Sequence, residues 1–160
     1  MRGHGALAVM LLSLAADQGS KFWVEMSLPF QQPVPVLPFL DFFRTYNTGI
    51  AFSLFSRFPD WSLIAFTTFV IAVVAWLWLR LEAGRPFAAF GFALVIGGAS
   101  GNLIDRLAFG HVVDFILVHA GGWSFAVFNL ADSFITIGAG LILVDEFFAM
   151  ARGGRKAAGE

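Results

Sequence analysis

Residues 61–80 constrain this chain more than any other stretch, because they contain twenty residues with no charged side chain before Arg80. An α-helix rises about 1.5 Å per residue, so a helix of this length matches the roughly 30 Å hydrocarbon core of a bilayer. Trp61 lies at one end of the stretch, and Trp76 and Trp78 lie near the other, where tryptophan suits the membrane interfaces. The stretch therefore predicts a membrane-spanning helix, and the remaining chain has to fold beside it.

The composition extends this prediction to the whole chain. Hydrophobic residues make up 58% of the sequence and charged residues 13%, which is about half the charged fraction of a typical soluble domain. Further apolar stretches predict spans at residues 6–26, 87–107 and 130–150. We therefore expect a single domain, residues 1–160, that is an all-α membrane protein with four transmembrane helices.

The first sixteen residues allow a second interpretation. Arg2 precedes a short apolar run that ends in small residues, which resembles a cleavable secretory signal. The apolar pattern resumes at Phe22, Trp23 and Val24. We favour an uncleaved first helix that continues to Met26, because it accounts for both apolar runs.

Two segments between the spans lack a helical pattern. Residues 27–60 contain closely spaced prolines, and proline lacks the N–H group that a helix interior needs. Within this segment, residues 39–46 suit a short strand, and residues 47–49 supply turn chemistry. A second strand is expected at residues 110–116, inside the segment 108–129. Because lipid cannot satisfy unpaired backbone groups, we expect both segments to form a small β-containing structure outside the membrane.

The basic residues give a modest bias that orients the chain in the membrane. Those near the span ends on one side are Arg2, Arg80, Arg85, Arg152, Arg155 and Lys156. Those on the other side are Lys21, Arg44, Arg57 and Arg106. Under the positive-inside rule, we expect both termini in the cytoplasm and the two irregular segments on the outer face. The scattered basic residues and the net charge of −1 give no indication of nucleic-acid binding.

Three of the predicted helices carry a polar stripe on one face. The first helix aligns Ser13, Asp17, Ser20 and Lys21. The third helix aligns Gly98, Asn102, Asp105 and Arg106. The fourth helix aligns Asn129, Asp132, Ser133 and Thr136. Asn129 suits the N-cap of this helix. With the orientation above, all three stripes lie toward the outer ends of their helices.

Asp114 and Asp132 are the two acids that the apolar sequence explains least. Asp114 shares its predicted strand face with Val112 and Ile116, and Asp132 points into the bundle near the positive end of its helix. Burial raises the pKa of a carboxyl group, and two neighbouring carboxyls tend to share one proton. A protonated acid beside an ionised one can polarise a carbonyl while it activates water, as in aspartic proteases. The pair therefore suits hydrolysis of a peptide bond.

Other acids have structural interpretations. Asp17 lies one turn before Lys21, so an ion pair is as well supported as a direct functional role. For Asp105 we favour a contact with Arg106 or with a neighbouring helix. Asp114 and Asp132 differ from these acids, because no base lies near either of them in the sequence.

Nucleophile and metal sites are less well supported. Adjacent helical residues point about 100° apart, which argues against a facing pair of Ser20 and Lys21. A triad of His111, Asp114 and Ser133 lacks the Gly-x-Ser-x-Gly turn. The chain has no cysteine, and its three histidines lack a zinc-binding spacing, so we expect no metal and no cofactor.

Five short strings, in order along the chain, resemble the motifs of the bacterial lipoprotein signal peptidases, also called signal peptidase II. They are DQGSK at 17–21, NTGIAF at 47–52, GGASGNLIDR at 97–106, GHVVDF at 110–115 and FNLADS at 128–133. Each string alone is weak evidence, but five in order on the expected elements make a specific resemblance. One departure from the family pattern is Ile50, where we expect a small alanine.

The resemblance implies an aspartyl endopeptidase of the bacterial inner membrane, with its active site near the outer face. The implied substrate is a prolipoprotein that carries diacylglycerol on a cysteine and is cut on the amino side of that cysteine. Asp114 and Asp132 would be catalytic, and residues 27–60 would cradle the substrate as a small sheet. The residues implied to bind substrate or support the site are Asp17, Lys21, Asn47, Gly49, Asn102, Asp105, Arg106 and Asn129. We expect a monomer that contacts membrane lipids.

Two other functions are compatible with buried acids. A small transporter or proton relay uses acids near the bilayer midplane, often in repeated halves. Here the acids lie toward the outer edge, and the sequence has no internal repeat. A non-catalytic assembly factor would use the polar stripes only to hold helices together. The convergence of the stripes on the two acids favours the peptidase.

Overall fold

The computed structural model describes the backbone of residues 2–49 and 60–157 and the side chains of residues 4–49 and 61–151. The helices of this part are α1 (Arg2–Ser27), α2 (Asp60–Leu79), α3 (Pro86–Phe109) and α4 (Leu130–Ala157). Its strands are β1 (Pro33–Leu37), β2 (Leu40–Asn47), β3 (Val112–Ala120) and β4 (Trp123–Ser124). The expectation of a mostly helical chain with a small β structure is confirmed. Ile50 and the rest of the string NTGIAF beyond residue 49 lie outside the described residues.

Three helices are long and apolar enough to cross a membrane, over Trp61–Leu79, Pro86–Phe109 and Leu130–Ala151. Among the described residues, α1 does not join this group. It is long enough, but it carries Asp17, Lys21 and Glu25. Three of the four predicted spans therefore fall on helices of suitable length and composition, and the polar stripe of the first helix sets it apart.

Helix α3 packs against α1, α2 and α4. Glycine allows two of these contacts to be very close, because a Cβ atom on Gly97 or Gly101 would collide with α1, in the second case with Asp17. Toward α4, a Cβ atom on Gly98 would lie 2.5 Å from the backbone oxygen of Ala131. This run of small residues brings the polar stripes of α1, α3 and α4 together.

The strands form one antiparallel sheet in the order β1-β2-β3-β4. Asn47, the last residue of β2, pairs with the first residue of β3, two positions before Asp114. Val113 and Phe115 of β3 pack with Val24 of α1 in a buried core. Because side chains alternate along a strand, Asp114 lies on the opposite face of β3 from these two residues.

Candidate active site

Asp114 is buried in β3, with 2% of its surface exposed. Nδ2 of Asn47 donates a hydrogen bond of 2.9 Å to one carboxyl oxygen, and Nδ2 of Asn129 donates one of 2.6 Å to the other. Burial is the main reason that the pKa of Asp114 rises from 3.8 to about 7. The charge of Asp132 adds to the rise, and the two amide hydrogen bonds oppose it. A large fraction of Asp114 is therefore protonated at neutral pH.

Asp132 lies in the first turn of α4 and forms a reciprocal cap with Asn129. The N–H of Asp132 donates to Oδ1 of Asn129 at 3.0 Å, and the N–H of Asn129 donates to Oδ2 of Asp132 at 3.2 Å. The prediction that Asn129 is the N-cap is confirmed. Nδ2 of Asn102 also donates to Oδ1 of Asp132 at 2.9 Å. These donors hold the carboxyl group of Asp132 at the N-terminal end of α4.

Asn129 connects the surroundings of the two acids. It is fully buried, and its Nδ2 group donates both to Asp114 and, at 3.2 Å, to Oδ1 of Asn102. Asn102 in turn bonds Asp132. The two acids are thus held by one continuous set of amide groups, which orient a carboxyl group without neutralising it.

Asp17, Lys21 and Asp105 form a second buried group, which we call the ionic cluster. Nζ of Lys21 lies 2.8 Å from a carboxyl oxygen of Asp17 and 2.8 Å from one of Asp105. All three side chains are buried. The predicted ion pair of Asp17 and Lys21 is confirmed, and so is the predicted contact of Asp105 with a neighbouring helix. Gln18, which the sequence did not single out by itself, donates hydrogen bonds to both carboxylates.

The ionic cluster also contacts the backbone directly before each acid of the pair. The carboxylate of Asp17 accepts a hydrogen bond of 2.9 Å from the N–H of Ala131, the residue before Asp132. The carboxylate of Asp105 accepts a hydrogen bond of 3.3 Å from the N–H of Val113, the residue before Asp114. The lysine of the cluster donates to Oδ1 of Asn102 at 2.9 Å. The cluster therefore fixes the positions of the strand and the helix that carry the pair.

Arg106 brings a positive charge close to both acids, although no base is near them in the sequence. Its guanidinium donates a hydrogen bond of 3.1 Å to the carbonyl oxygen of Gly49. The N–H of Gly49 donates to Oδ1 of Asn47 at 2.9 Å. The turn after β2 is thereby tied to α3, and Asn47 is held with its amide nitrogen toward Asp114.

Asp114 and Asp132 line one cavity of about 280 Å³. The predicted site residues that share this lining are Asn47, Gly49, Asn102 and Arg106. Residues 125–128, which are not among the predicted site residues, also line it. Two glycines precede this segment and indicate a hairpin turn, but its apolar side chains carry no signal of a site.

The residues of the less favoured sites make other contacts. Ser20 and Ser133 each donate a hydrogen bond to a backbone carbonyl about one turn earlier. The ring of His111 stacks on Tyr46, with 3.9 Å between ring centroids. Within the described part of the chain, no group of three or more His, Cys, Asp and Glu side chains is arranged to hold one metal ion.

Two comparisons with known proteins give the same family, and a third finds a solved structure with a similar fold. The family model for Signal peptidase (SPase) II matches residues 9–148. A lipoprotein signal peptidase of Sinorhizobium fredii (strain NBRC 101917 / NGR234) is 55% identical over 137 residues, covering 86% of this chain and 82% of that protein. One of Brucella ovis (strain ATCC 25840 / 63/290 / NCTC 10512) is 54% identical over 147 residues, covering 92% of each. A bacterial membrane enzyme solved by the in meso method at 2.3 Å resolution has a TM-score of 0.84 and 26% identity, covering 92% of this chain and 90% of that chain.

Proposed function

From the premise that this chain belongs to the signal peptidase II family, and so removes signal peptides from lipoproteins, we propose that Asp114 and Asp132 together catalyse the cleavage. The observation that carries this assignment is the set of amide contacts in one cavity. Asn47, Asn102 and Asn129 orient the two carboxyl groups without neutralising them. The alternative of a transporter or proton relay is not supported, because the family is one of peptidases.

In the proposed mechanism the two acids hold one proton between them. Asp114 carries this proton, consistent with its pKa of about 7. Through this proton it donates a hydrogen bond to the oxygen of the scissile carbonyl. Asp132, which accepts hydrogen bonds from backbone and amide N–H groups, removes a proton from the attacking water. The resulting tetrahedral intermediate collapses when the leaving amine takes a proton from Asp132. Neither a metal ion nor a covalent intermediate takes part.

We further propose that the supporting residues act by position. Asp17, Lys21 and Asp105 hold the backbone beside the two acids, and the amide groups orient the carboxyls. Arg106 and Gly49 hold the turn that presents Asn47. Displacement of either carboxyl by a small distance reduces the rate, because proton transfer requires direct hydrogen-bond reach.

For the membrane, we propose that α1 spans the bilayer together with the three apolar helices. The polar residues of α1 support this placement, because Lys21 and Asp17 face α3 and α4 rather than lipid. Both termini then lie in the cytoplasm, and residues 27–60 and 108–129 lie at the outer face of the bacterial inner membrane. The protein acts as a monomer among membrane lipids, and a prolipoprotein with a diacylglyceryl cysteine enters sideways from the bilayer.

The test is cleavage of such a lipid-modified prolipoprotein by purified protein in detergent. Asp114→Asn and Asp132→Asn should each reduce the rate at least about 100-fold, the lower end of general acid–base contributions. Glu146→Gln is a matched control, because Glu146 is half exposed and pairs with Arg85 of the loop before α3. It should cleave at the parental rate.

Parental cleavage by a correctly folded Asp114→Asn or Asp132→Asn protein would show that the assignment is wrong. The wild-type rate should persist in excess chelator. Loss of activity on chelation would instead identify a metal enzyme.

A further inference from the structure

Residues 125–128, which we call the strap, connect β4 to the start of α4 and run along β3. The N–H of Phe125 donates a hydrogen bond of 2.8 Å to the carbonyl of Val118, and the N–H of Phe128 donates one of 3.1 Å to the carbonyl of Ile116. Between these two bonds the strap advances three residues, whereas β3 advances two. The strap is therefore bulged away from β3, a feature often found beside active sites.

Ala126 and Val127 lie inside this bulge. Their peptide N–H and C=O groups make no hydrogen bond with any other described residue. Both residues are half-buried and line the cavity that contains Asp114 and Asp132. Main-chain groups without a partner in the fold carry a free-energy cost unless water or a ligand bonds them. A ligand that supplies backbone groups of its own removes this cost.

We propose that Ala126 and Val127 are a docking edge to which the substrate adds as a short extended strand. This inference rests on the proposed function and specifies how the peptide is held. An extended chain presents N–H and C=O groups along its sides, so it can pair with an open strand edge whatever its side chains are. The strap leads directly into Asn129, so a strand on this edge lies beside both acids.

The extended form also suits the chemistry. In a helix each carbonyl accepts a hydrogen bond from the residue four positions later, so a helical signal peptide would offer a carbonyl that is already bonded. On the strap, the substrate exchanges its own helical bonds for bonds to Ala126 and Val127. The scissile carbonyl is then free to accept the proton that Asp114 offers. The helix of the signal peptide therefore ends before the cleavage site in the bound state.

The main test changes the substrate and leaves the enzyme intact. Single peptide bonds near the cleavage site of the lipid-modified prolipoprotein are replaced by ester bonds, one position at a time, with the scissile amide retained. Each ester removes one N–H donor. We expect kcat/KM to fall about tenfold at one position, or at two positions separated by one residue, and to change little at their neighbours. A flat profile would overturn the docking edge.

A second measurement changes the enzyme. Val127→Pro removes the N–H donor of residue 127, and we expect kcat/KM to fall about tenfold, with a rise in KM. In this variant the ester at the sensitive position should have little further effect, because the paired strand is already lost. Ala83→Pro is the matched control, since it introduces proline in the exposed loop before Gly84, whose φ of 95° suits the next position of a type II turn.

The outcomes separate the two proposals. If the wild type cleaves the all-amide substrate, Asp114→Asn does not, and the ester profile is flat, the catalytic assignment stands and the docking edge is wrong. If the wild type cleaves no lipid-modified prolipoprotein, the proposed function and the docking edge are both wrong. Misfolding of Val127→Pro leaves the decision to the ester profile of the wild type.

Discussion

Two groups of acids lie close together in the fold and differ in what faces them. In the ionic cluster, the ammonium group of Lys21 lies 2.8 Å from a carboxyl oxygen of Asp17 and 2.8 Å from one of Asp105. The carboxyl groups of Asp114 and Asp132 are instead bonded by amide nitrogens. A cation at this distance attracts both carboxyl groups and holds them in place, whereas amides orient a carboxyl group without forming an ion pair with it.

Aspartate side chains therefore have two different roles in the same fold. Acids with a buried cation hold helices and strands in place. Protonation of such a carboxylate would leave the buried cation without its partner. Acids surrounded by amides can exchange a proton without breaking an ion pair. The backbone contacts from the cluster to Ala131 and Val113 support the proposal that the first group positions the second.

The largest effect is expected when the cation of the ionic cluster is removed. Lys21→Met leaves Asp17 and Asp105 buried without a counter-charge, and breaking a buried ion pair in this way costs about 3–5 kcal/mol. We expect the free energy of unfolding in detergent, measured by denaturant titration, to fall by this amount.

A triple variant is the control for that result. Asp17→Asn, Lys21→Met and Asp105→Asn together remove all three charges, and we expect most of the lost stability to return. A Lys21→Met protein as stable as the parent would show that charge pairing does not hold the cluster.

Neutralising an acid of the pair should have the opposite effect on stability. With a pKa of about 7 for Asp114 in the folded protein and an ordinary value of 3.8, the folded state keeps a proton that the unfolded state releases. The wild type therefore loses stability as the pH rises from about 4 to about 7. Asp114→Asn lacks this loss.

The measurement for this variant is its unfolding free energy relative to the parent at two pH values. Between pH 5 and pH 8 the difference should move in favour of Asp114→Asn by about 2–3 kcal/mol, at roughly 1.4 kcal/mol for each pKa unit. Glu146→Gln should show no such change. A difference that is independent of pH would contradict the raised pKa.

The next effect is on the wild-type pH profile. If the pair needs one proton for catalysis, kcat/KM should fall about tenfold for each pH unit above 7, because the proton on Asp114 is then lost. Initial rates between pH 5 and pH 9 measure this limb. A profile that remains flat to pH 9 would mean that the reacting acid is held protonated, or is not required as an acid.

The two groups also differ in how far the sequence predicts them. The N-cap at Asn129 and the pair of Asp17 and Lys21 follow from local spacing, and both are confirmed. The contact of Lys21 with Asp105 depends on the close packing of α1 and α3 at Gly101, which no local pattern specifies. Helix α1 is less apolar than a lipid-facing helix because it carries a polar stripe. Lys21 of this stripe bonds Asn102 of α3, a contact that the sequence does not specify.

The role of the strap cannot be predicted from the sequence, for a different reason. It offers main-chain groups to the cavity, and every residue has those groups, so the side chains of residues 125–128 carry no signal. Its bulge arises from a difference of one residue between two facing segments. Such a difference is visible only once the pairing is known.

The smallest effect separates the orienting role of an amide from its electrostatic one. The hydrogen bond from Asn47 stabilises the ionised form of Asp114 and opposes the rise in its pKa. Asn47→Leu removes this bond at similar volume, so the pKa of Asp114 should rise further and the alkaline limb of kcat/KM should move to higher pH. Thr48→Val, at the exposed neighbouring position, should leave the limb in place. If the limb of Asn47→Leu stays at the parental pH while kcat falls, Asn47 orients the carboxyl group and does not control its proton.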